Sequence, residues 1–508
     1  MTQEPLDEQA LRRRAAEAGQ DHVFRFWNDL GEDSRQHLLA QLAGVDFDEL
    51  ADLIRHHVTG VPSTAGPLVL PPDLRPAPFI PLPTSEADTA RRRRMRNLGE
   101  EILAAGKAAA FVVAGGQGTR LGYEGPKGAF PIGPVSERPL FEIFAHAILA
   151  TRRAYAAPIP WYIMTSRAND RETREFFEAH NYFDLPVGDV KFFAQGMMPA
   201  VDLQGKLLLA KRDELAWNPD GHGGSIRALA RCGMLADMAA RGIEYVSYFQ
   251  VDNPLVPPLD PVFLGYHADA QSDLSSKMAR KRDPKEKLGA FCLSAGLRPG
   301  AAHPERGEAG LRPGGAGRLH VIEYSDLPDD LAEARNPDGS LRFEAGSIAI
   351  HILSRRFVER LSGGRRFALP FHRAEKKIPC VDEKGRRQSP DRPNGIKFET
   401  FVFDALPMAE RPVVLEIDRC REFSPVKNAD GPDSPATARR DMVRLDARRL
   451  EEAGVKIPRD AAGEPKFKVE ISPLVARSEE ELKAVVARLN LRAVTADVYL
   501  GPEDVPTS

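Results

Sequence analysis

Phe111-Val-Val-Ala-Gly-Gly-Gln-Gly-Thr-Arg-Leu-Gly122 runs from an apolar stretch into a glycine-rich loop, and Glu124-Gly-Pro-Lys-Gly128 follows at once. Closely spaced glycines let backbone N–H groups approach an oxyanion, and Arg120 and Lys127 add two cations along the same loop. Such a segment suits phosphates, and the ligand expected is a nucleotide. Spacing excludes the two commonest loops of this kind. A dinucleotide fingerprint is G-x-G-x-x-G, whereas Gly116, Gly118 and Gly122 read G-x-G-x-x-x-G; a Walker loop needs Ser or Thr after its lysine, where this chain has Gly128. The bland alternative is a turn whose glycines serve backbone geometry alone. Asp252, at the end of the apolar run Tyr245-Val-Ser-Tyr-Phe-Gln-Val251, stands where a nucleotide-binding sheet presents a carboxylate to a divalent cation. Taken alone, Asp252-Asn253 could equally turn the chain after a strand.

The apolar pattern supplies elements to position these residues. Runs at 110–114, 159–164, 190–193 and 245–251 read as buried strands, and 138–155, 168–179 and 225–241 read as helices. That alternation predicts an α/β fold, a Rossmann-like, mostly parallel mixed sheet with its nucleotide at the carboxyl ends of the strands, over a catalytic domain of 97–430. Within 8–58, Val23, Phe24, Phe26, Trp27, Leu30, Leu38, Leu39, Leu42, Phe47, Leu50, Leu53 and Ile54 recur near helical spacing. A proline-rich stretch over 61–85 reads as an extended linker clasping the surface, which completes a helical N-terminal region of 1–96. Arg91-Arg-Arg-Arg-Met-Arg96 reads as a solvated helix face rather than a polyphosphate patch. Residues 296–317, rich in Gly, Pro and Arg, read as a loop or hairpin tip. Helix-like 437–453 and 478–489, with the apolar Phe467-Lys-Val-Glu-Ile-Ser472 between them, predict a small C-terminal α/β domain over 431–508.

Composition narrows the function. A chain of 508 residues exceeds one ordinary core, and its 42% hydrophobic residues can bury a substantial interior. The balance of 70 basic and 73 acidic residues, net charge −3, excludes a general nucleic-acid binder. Cys232, Cys292, Cys380 and Cys420 lie far apart, without the spacing of a zinc site or a disulfide framework. The first eight residues have neither the basic nor the apolar region of a secretory leader, and no apolar run reaches the ~18 residues of a membrane span. The expectation is a cytoplasmic protein without a membrane partner, a monomer or weak oligomer.

The glycine loop closely resembles the L-A-G-G-x-G-T-R-L-G…P-K-G signature of the eukaryotic-type UDP-sugar pyrophosphorylases, and later segments match the same family in order. They are Phe192-Phe-Ala-Gln-Gly-Met-Met-Pro-Ala200, Pro219-Asp-Gly-His-Gly-Gly224, Val251-Asp-Asn253, Ile322-Glu-Tyr-Ser325, Lys376-Lys-Ile-Pro379, Pro393-Asn-Gly-Ile-Lys397, Phe401-Val-Phe-Asp404 and Glu422-Phe-Ser-Pro-Val-Lys-Asn-Ala-Asp430. Phe24-Arg-Phe-Trp27 and Glu470-Ile-Ser-Pro-Leu474 extend the resemblance over nearly the whole chain, and the N-acetylglucosamine enzymes of the family fit best. The resemblance implies a nucleotidyltransferase fold and a uridylyltransferase that joins UTP to a hexose-1-phosphate, N-acetylglucosamine-1-phosphate first, giving a UDP-sugar and pyrophosphate with Mg²⁺, or Mn²⁺ in its place. The attacking phosphate is already an anion, so such an enzyme needs cations and a metal ligand more than a general base.

Carried over residue by residue, the resemblance puts Arg120, Lys127 and Lys427 on the phosphates and Asp252 on the metal. It gives uracil to the backbone of Ala114, Gly115 and Gly116, to Gln195 and to Gly221, with His222 beside the nucleotide. Asn253, Glu323, Ser347, Lys397, Phe401 and Phe403 are expected to line the sugar and its phosphate. Two departures bear on the sugar. His222 stands where the N-acetylglucosamine enzymes carry Asn, and a Gly-His-Gly sequence belongs to relatives acting on glucose-1-phosphate. Phe343-Glu-Ala-Gly-Ser-Ile348 replaces their Phe-Asn-Ala-Gly-Asn, so a hydroxyl at Ser347 stands in for a sugar-contacting amide. A UDP-glucose, UDP-galactose or broad-specificity pyrophosphorylase is therefore the nearest rival. A non-catalytic nucleotide-sugar-binding regulator could dispense with the leaving-group cations, and a glycosyltransferase would not need the Arg120 and Lys127 pair; both sit less well with these residues.

Overall fold

The computed structural model describes residues 7–59, 70, 73–294, 317–364 and 367–504. The loop expected over 296–317 and the first half of the proline-rich stretch therefore lie almost wholly outside the described residues.

Ten strands form one mixed sheet, and its two halves differ in direction. In one half, Tyr245–Gln250, Ala108–Val113, Trp161–Thr165 and Val190–Ala194 lie side by side and parallel. These are the four strands expected from the apolar runs. Ala108–Val112 and all of Trp161–Met164 are buried because helices cover both faces, as parallel strands require. In the other half, Ala345–Ser354 runs antiparallel between Tyr245–Gln250 and Leu274–Arg280, which in turn pairs in parallel with Val413–Glu416. The long strand bends within itself. Ala349 takes a left-handed φ of 55°, and the register against Leu274–Arg280 shifts between Ser276 and Met278.

Leu140–Tyr155 and Asp170–Ala179 are helical as expected. The expected helix over 225–241 is instead two, Gly224–Arg231 and Met234–Ala240, because Gly233 between them adopts a left-handed φ of 75°. Helix Glu86–Ala104 opens with a capping box between Ser85 and Asp88 and buries Met95 while Arg91, Arg93, Arg94 and Arg96 stay exposed. Just before it, Arg75–Pro76 pairs with Leu293 and Cys292. The chain then crosses the sheet edge with Ile80 exchanging backbone hydrogen bonds with Val414 and Glu416. The described part of the proline-rich stretch is thus an extended strap.

The N-terminal helices Glu8–Glu17, Glu32–Ala43 and Phe47–Ile54 share one apolar core with Met198, Val201, Leu207, Leu209, Leu215, Phe371, Val381, Ile396 and Phe398. Helices Pro435–Glu452 and Glu479–Leu489 pack with the parallel strands Val469–Ile471 and Val498–Leu500 around a separate core. Glu470 ties that unit back, accepting 2.8 Å hydrogen bonds from the Val135 and Ser136 amides. Among the described residues no helix is long and apolar enough to cross a membrane.

Candidate active site

The carboxyl ends of the parallel strands bring the first set of residues together. The chain leaves Ala108–Val113 at Ala114–Gly116, Trp161–Thr165 at Ser166, Val190–Ala194 at Gln195 and Tyr245–Gln250 at Asp252. A Cβ on Gly115 would lie 3.3 Å from Gln195 Oε1 and 3.4 Å from Ser166 Cβ, so any side chain there would press on the Gln195 amide. The loop is pinned from beneath by Asn169. Its Nδ2 donates to the carbonyls of Ala114 at 2.8 Å and Gly116 at 3.2 Å, while Oδ1 accepts from the Ser166 amide at 2.8 Å. Lys127 folds back through its amide to the Gly116 carbonyl at 3.1 Å, and its Nζ reaches Asp252 at 3.6 Å. Arg120 stands exposed on the turn Gly118–Leu121.

A second set meets in a cavity of about 240 Å³ next to Asp252, lined among others by His222, Glu323, Ser347, Phe403 and Lys427. Lys427 arrives on the segment after Glu422, which is laced to the Asp252 turn: the Val426 amide donates to the Asp252 carbonyl at 2.8 Å. Asn253 completes that lacing. Its Nδ2 donates to the Glu422 carbonyl at 2.7 Å and its Oδ1 accepts from the Ser424 amide at 3.0 Å. At 5% exposure Asn253 both braces the loop and lines the cavity.

Burial raises the Glu323 carboxyl above its ordinary range, Asp326 and Asp404 add to the effect, and His372 and Lys427 oppose it. Ser347 is fixed through its amide to the Gly289 carbonyl at 2.8 Å, with its side chain at the cavity. His222 packs against both Phe401 and Phe403, centroids 5.3 and 5.7 Å away, and those two rings stack on each other at 5.1 Å. Burial lowers its pKa to about 4, so the ring is neutral near pH 7. Nδ1 accepts from the Val402 amide at 3.3 Å, which leaves the ring proton on Nε2 as a donor. Phe401, stacked on Phe403, and Lys397, half-buried on Gly395–Glu399, do not line this cavity.

Lys287 and Tyr324 line the cavity and were not anticipated; nor were Asn169, which holds the loop from 55 residues away, and Asp220, which adjoins Gln195. Two of them carried a signal, Asp220 inside Pro219-Asp-Gly-His-Gly-Gly224 and Tyr324 inside Ile322-Glu-Tyr-Ser325. A larger cavity of about 610 Å³, between helix Glu86–Ala104 and the C-terminal unit, is lined by none of the candidate residues.

A family profile described as UTP--glucose-1-phosphate uridylyltransferase matches residues 82–297. The human UDP-N-acetylhexosamine pyrophosphorylase-like protein 1 is 37% identical over 502 residues, 94% of each chain. The chain belongs to the UDP-sugar pyrophosphorylase family. UDP-N-acetylglucosamine diphosphorylase 2 of Arabidopsis thaliana is 34% identical over 94% of this chain and 91% of its own. Among solved structures, the uridine diphosphate N-acetylglucosamine pyrophosphorylase of Trypanosoma brucei superposes with a TM-score of 0.79 at 26% identity, covering 99% of this chain and 100% of that one. The glycine loop, Asp252 and the cavity wall of this pyrophosphorylase-family chain thus sit on a fold it shares with that enzyme over their full lengths.

Proposed function

We propose that this chain is a uridylyltransferase that forms a UDP-N-acetylhexosamine and pyrophosphate from UTP and an N-acetylhexosamine-1-phosphate. The observation that carries the reading is the meeting of the glycine loop, Lys127 and Asp252 with Lys427 at the mouth of a cavity walled by Glu323, Ser347 and Phe403. A phosphate oxygen of the sugar-1-phosphate attacks the α-phosphorus of UTP, and the bond to the bridging oxygen of pyrophosphate breaks. No proton changes place. What the protein supplies is alignment and charge: the loop amides, Arg120 and Lys127 on the triphosphate and Lys427 on the incoming phosphate.

Among the described residues no cluster of three or more His, Cys, Asp or Glu side chains could cage a metal. Asp252, 15% exposed at a strand end, is a hard oxygen ligand of the kind Mg²⁺ uses together with phosphate oxygens. Bound there, Mg²⁺ or Mn²⁺ would neutralise the charge of the phosphates. The four cysteines are free thiols, which suits a reducing cytoplasm.

His222 and Ser347 favour a second reading in which glucose-1-phosphate or galactose-1-phosphate serves as well. Initial rates of pyrophosphate release from UTP with N-acetylglucosamine-, N-acetylgalactosamine-, glucose- and galactose-1-phosphate decide between them. Preference for the acetamido sugars is expected, and Ser347→Asn should raise it about tenfold, the worth of one good hydrogen bond. Equal or faster rates with the plain hexoses would overturn the first reading.

A further inference from the structure

Uracil carries a hydrogen on N3 where cytosine carries a lone pair. A side-chain amide separates the two only if it is prevented from turning over, because Oε1 accepts from an N–H and Nε2 donates to a lone pair. What lies behind Gln195 fixes its direction. Nε2 donates to the Gly221 carbonyl at 2.8 Å and to Asp220 Oδ1 at 3.3 Å. A carbonyl and a carboxylate offer acceptors only, so the nitrogen belongs on that side and Oε1 faces Gly115 and the glycine loop. Turned over, Oε1 would meet two acceptors.

Asp220 is itself held on every side. It is 3% exposed, its amide donates to the Gly196 carbonyl at 3.2 Å, and its carbonyl accepts from the Thr400 amide at 2.8 Å and the Thr400 hydroxyl at 2.9 Å. A Cβ on Gly196 or Gly224 would fall 2.3 or 2.0 Å from its carboxylate oxygens, so both neighbours must be glycine for the carboxylate to stand here. Among the described residues no ion pair to it forms: Arg227 is engaged with Glu49 at 2.7 Å, and Arg227 and Arg231 act on it through their charge alone. The carboxyl responds as a buried acid does, its pKa pushed up to about 6 by desolvation. A buried carboxylate whose side-chain partner is one amide contributes little to stability, which points to another use.

We propose that Asp220 is a positioning residue that locks Gln195 with Oε1 toward the base, so that the site accepts the uracil N3–H and rejects cytosine. The inference rests on the reading of the glycine-loop end as the nucleotide site. Through the Thr400 contacts the same turn joins the base site to Phe401 and His222, so an error in the turn would reach the sugar cavity too.

The test compares Asp220→Ala and Asp220→Asn with the unaltered chain, measuring the Kd of UTP and of CTP by calorimetry and the rate of pyrophosphate release from each. The unaltered chain should favour UTP by about 10²-fold or more, as a site built to hydrogen-bond a donor rejects a base without one. In both variants that ratio should fall about tenfold, the scale of one hydrogen bond to a charged group. Asp220→Asn keeps the volume and adds a donor that a turned-over Oε1 accepts, so it carries the test if Asp220→Ala does not fold. Equal losses for UTP and CTP, the ratio unmoved, would overturn the proposal and leave Asp220 a structural support. If the unaltered chain prefers UTP in binding yet releases no pyrophosphate with any hexose-1-phosphate, the uridylyltransferase reading falls, and the binding ratios alone still decide for or against Asp220.

Discussion

The glycine loop and the segment around Lys427 bring cations to one site, and they are held in opposite ways. Neutral groups fix the loop: the Asn169 amide beneath it, the Gly118 amide on the Gly125 carbonyl at 2.9 Å, and the Lys127 amide on Gly116. Charge fixes the segment. Lys277, 1% exposed, lies 2.6 Å from Asp260 and against Glu422, and Glu422 begins the stretch that ends in Lys427. A hydrogen-bonded amide loses little on burial, whereas each buried ion loses several kcal/mol of hydration that only its partners restore. The glycine loop itself is therefore held at little electrostatic cost, with Asp220 and the Lys127–Asp252 pair the charges beside it, whereas the sugar-phosphate end depends on Lys277, Asp260 and Glu422 staying together.

The largest effect is expected from breaking the ionic hold. Lys277→Met leaves Asp260 and Glu422 side by side, largely out of water and with Arg92 the cation acting on both, which should lower stability by about 3 kcal/mol in denaturant unfolding. Acid should restore part of the loss, because burial already raises Glu422 above its ordinary range and its protonated form no longer repels Asp260. In kinetics, KM for the hexose-1-phosphate should rise while KM for UTP holds. A shared rise would mean that the two ends are not built separately.

The mirror experiment is Asn169→Ala. It strips the amide from two loop carbonyls and the Ser166 amide, for a loss of about 1–3 kcal/mol. Here KM for UTP should rise and KM for the sugar phosphate hold. If the smaller loss of stability came from Lys277→Met instead, the contrast between ionic and neutral support would be wrong.

The same contrast explains what the chain discloses before it is folded. The glycine loop is contiguous, its glycines and cations lie within 111–128, and its strand is a short apolar run, so both could be read directly. Asp252, Gln195, Glu323, Ser347 and Lys427 were legible through short motifs, and the structure gathers them at two adjoining places. The ionic support was not legible. Asp260, Lys277 and Glu422 are ordinary charged residues far apart in the chain, and no local period marks a pair that forms only when Leu274–Arg280 passes under the 419–422 turn. The second part played by Asn253 was hidden for a related reason: its motif placed it at the site, and only the fold shows that it also bonds the Glu422 carbonyl and the Ser424 amide. Which strands make up the antiparallel part of the expected mixed sheet was not legible, because direction is set by crossovers, which apolar runs do not encode.

The smallest expected effect probes the sugar end by titration. His372 Nε2 lies 2.8 Å from Asp404 Oδ2, close to Phe401 and among the carboxylates that act on Glu323. Burial alone would lower its pKa, but the hydrogen bond and charge of Asp404, with smaller help from Asp326 and Glu323, outweigh burial and raise it above its ordinary value. A raised histidine stabilises the fold fully below its unfolded value, and the contribution fades as pH rises through the folded one. In Asp404→Asn the cation loses its partner and burial prevails, so the His372 pKa followed by NMR should drop below 6.5, and the extra stability at mildly acid pH should vanish. KM for UTP should follow one and the same pH curve in both proteins, since the carboxyl that titrates at the nucleotide end is Asp220, near pH 6, which the substitution leaves untouched. A UTP affinity that followed the His372 titration would join the two ends electrostatically and dissolve the distinction between them.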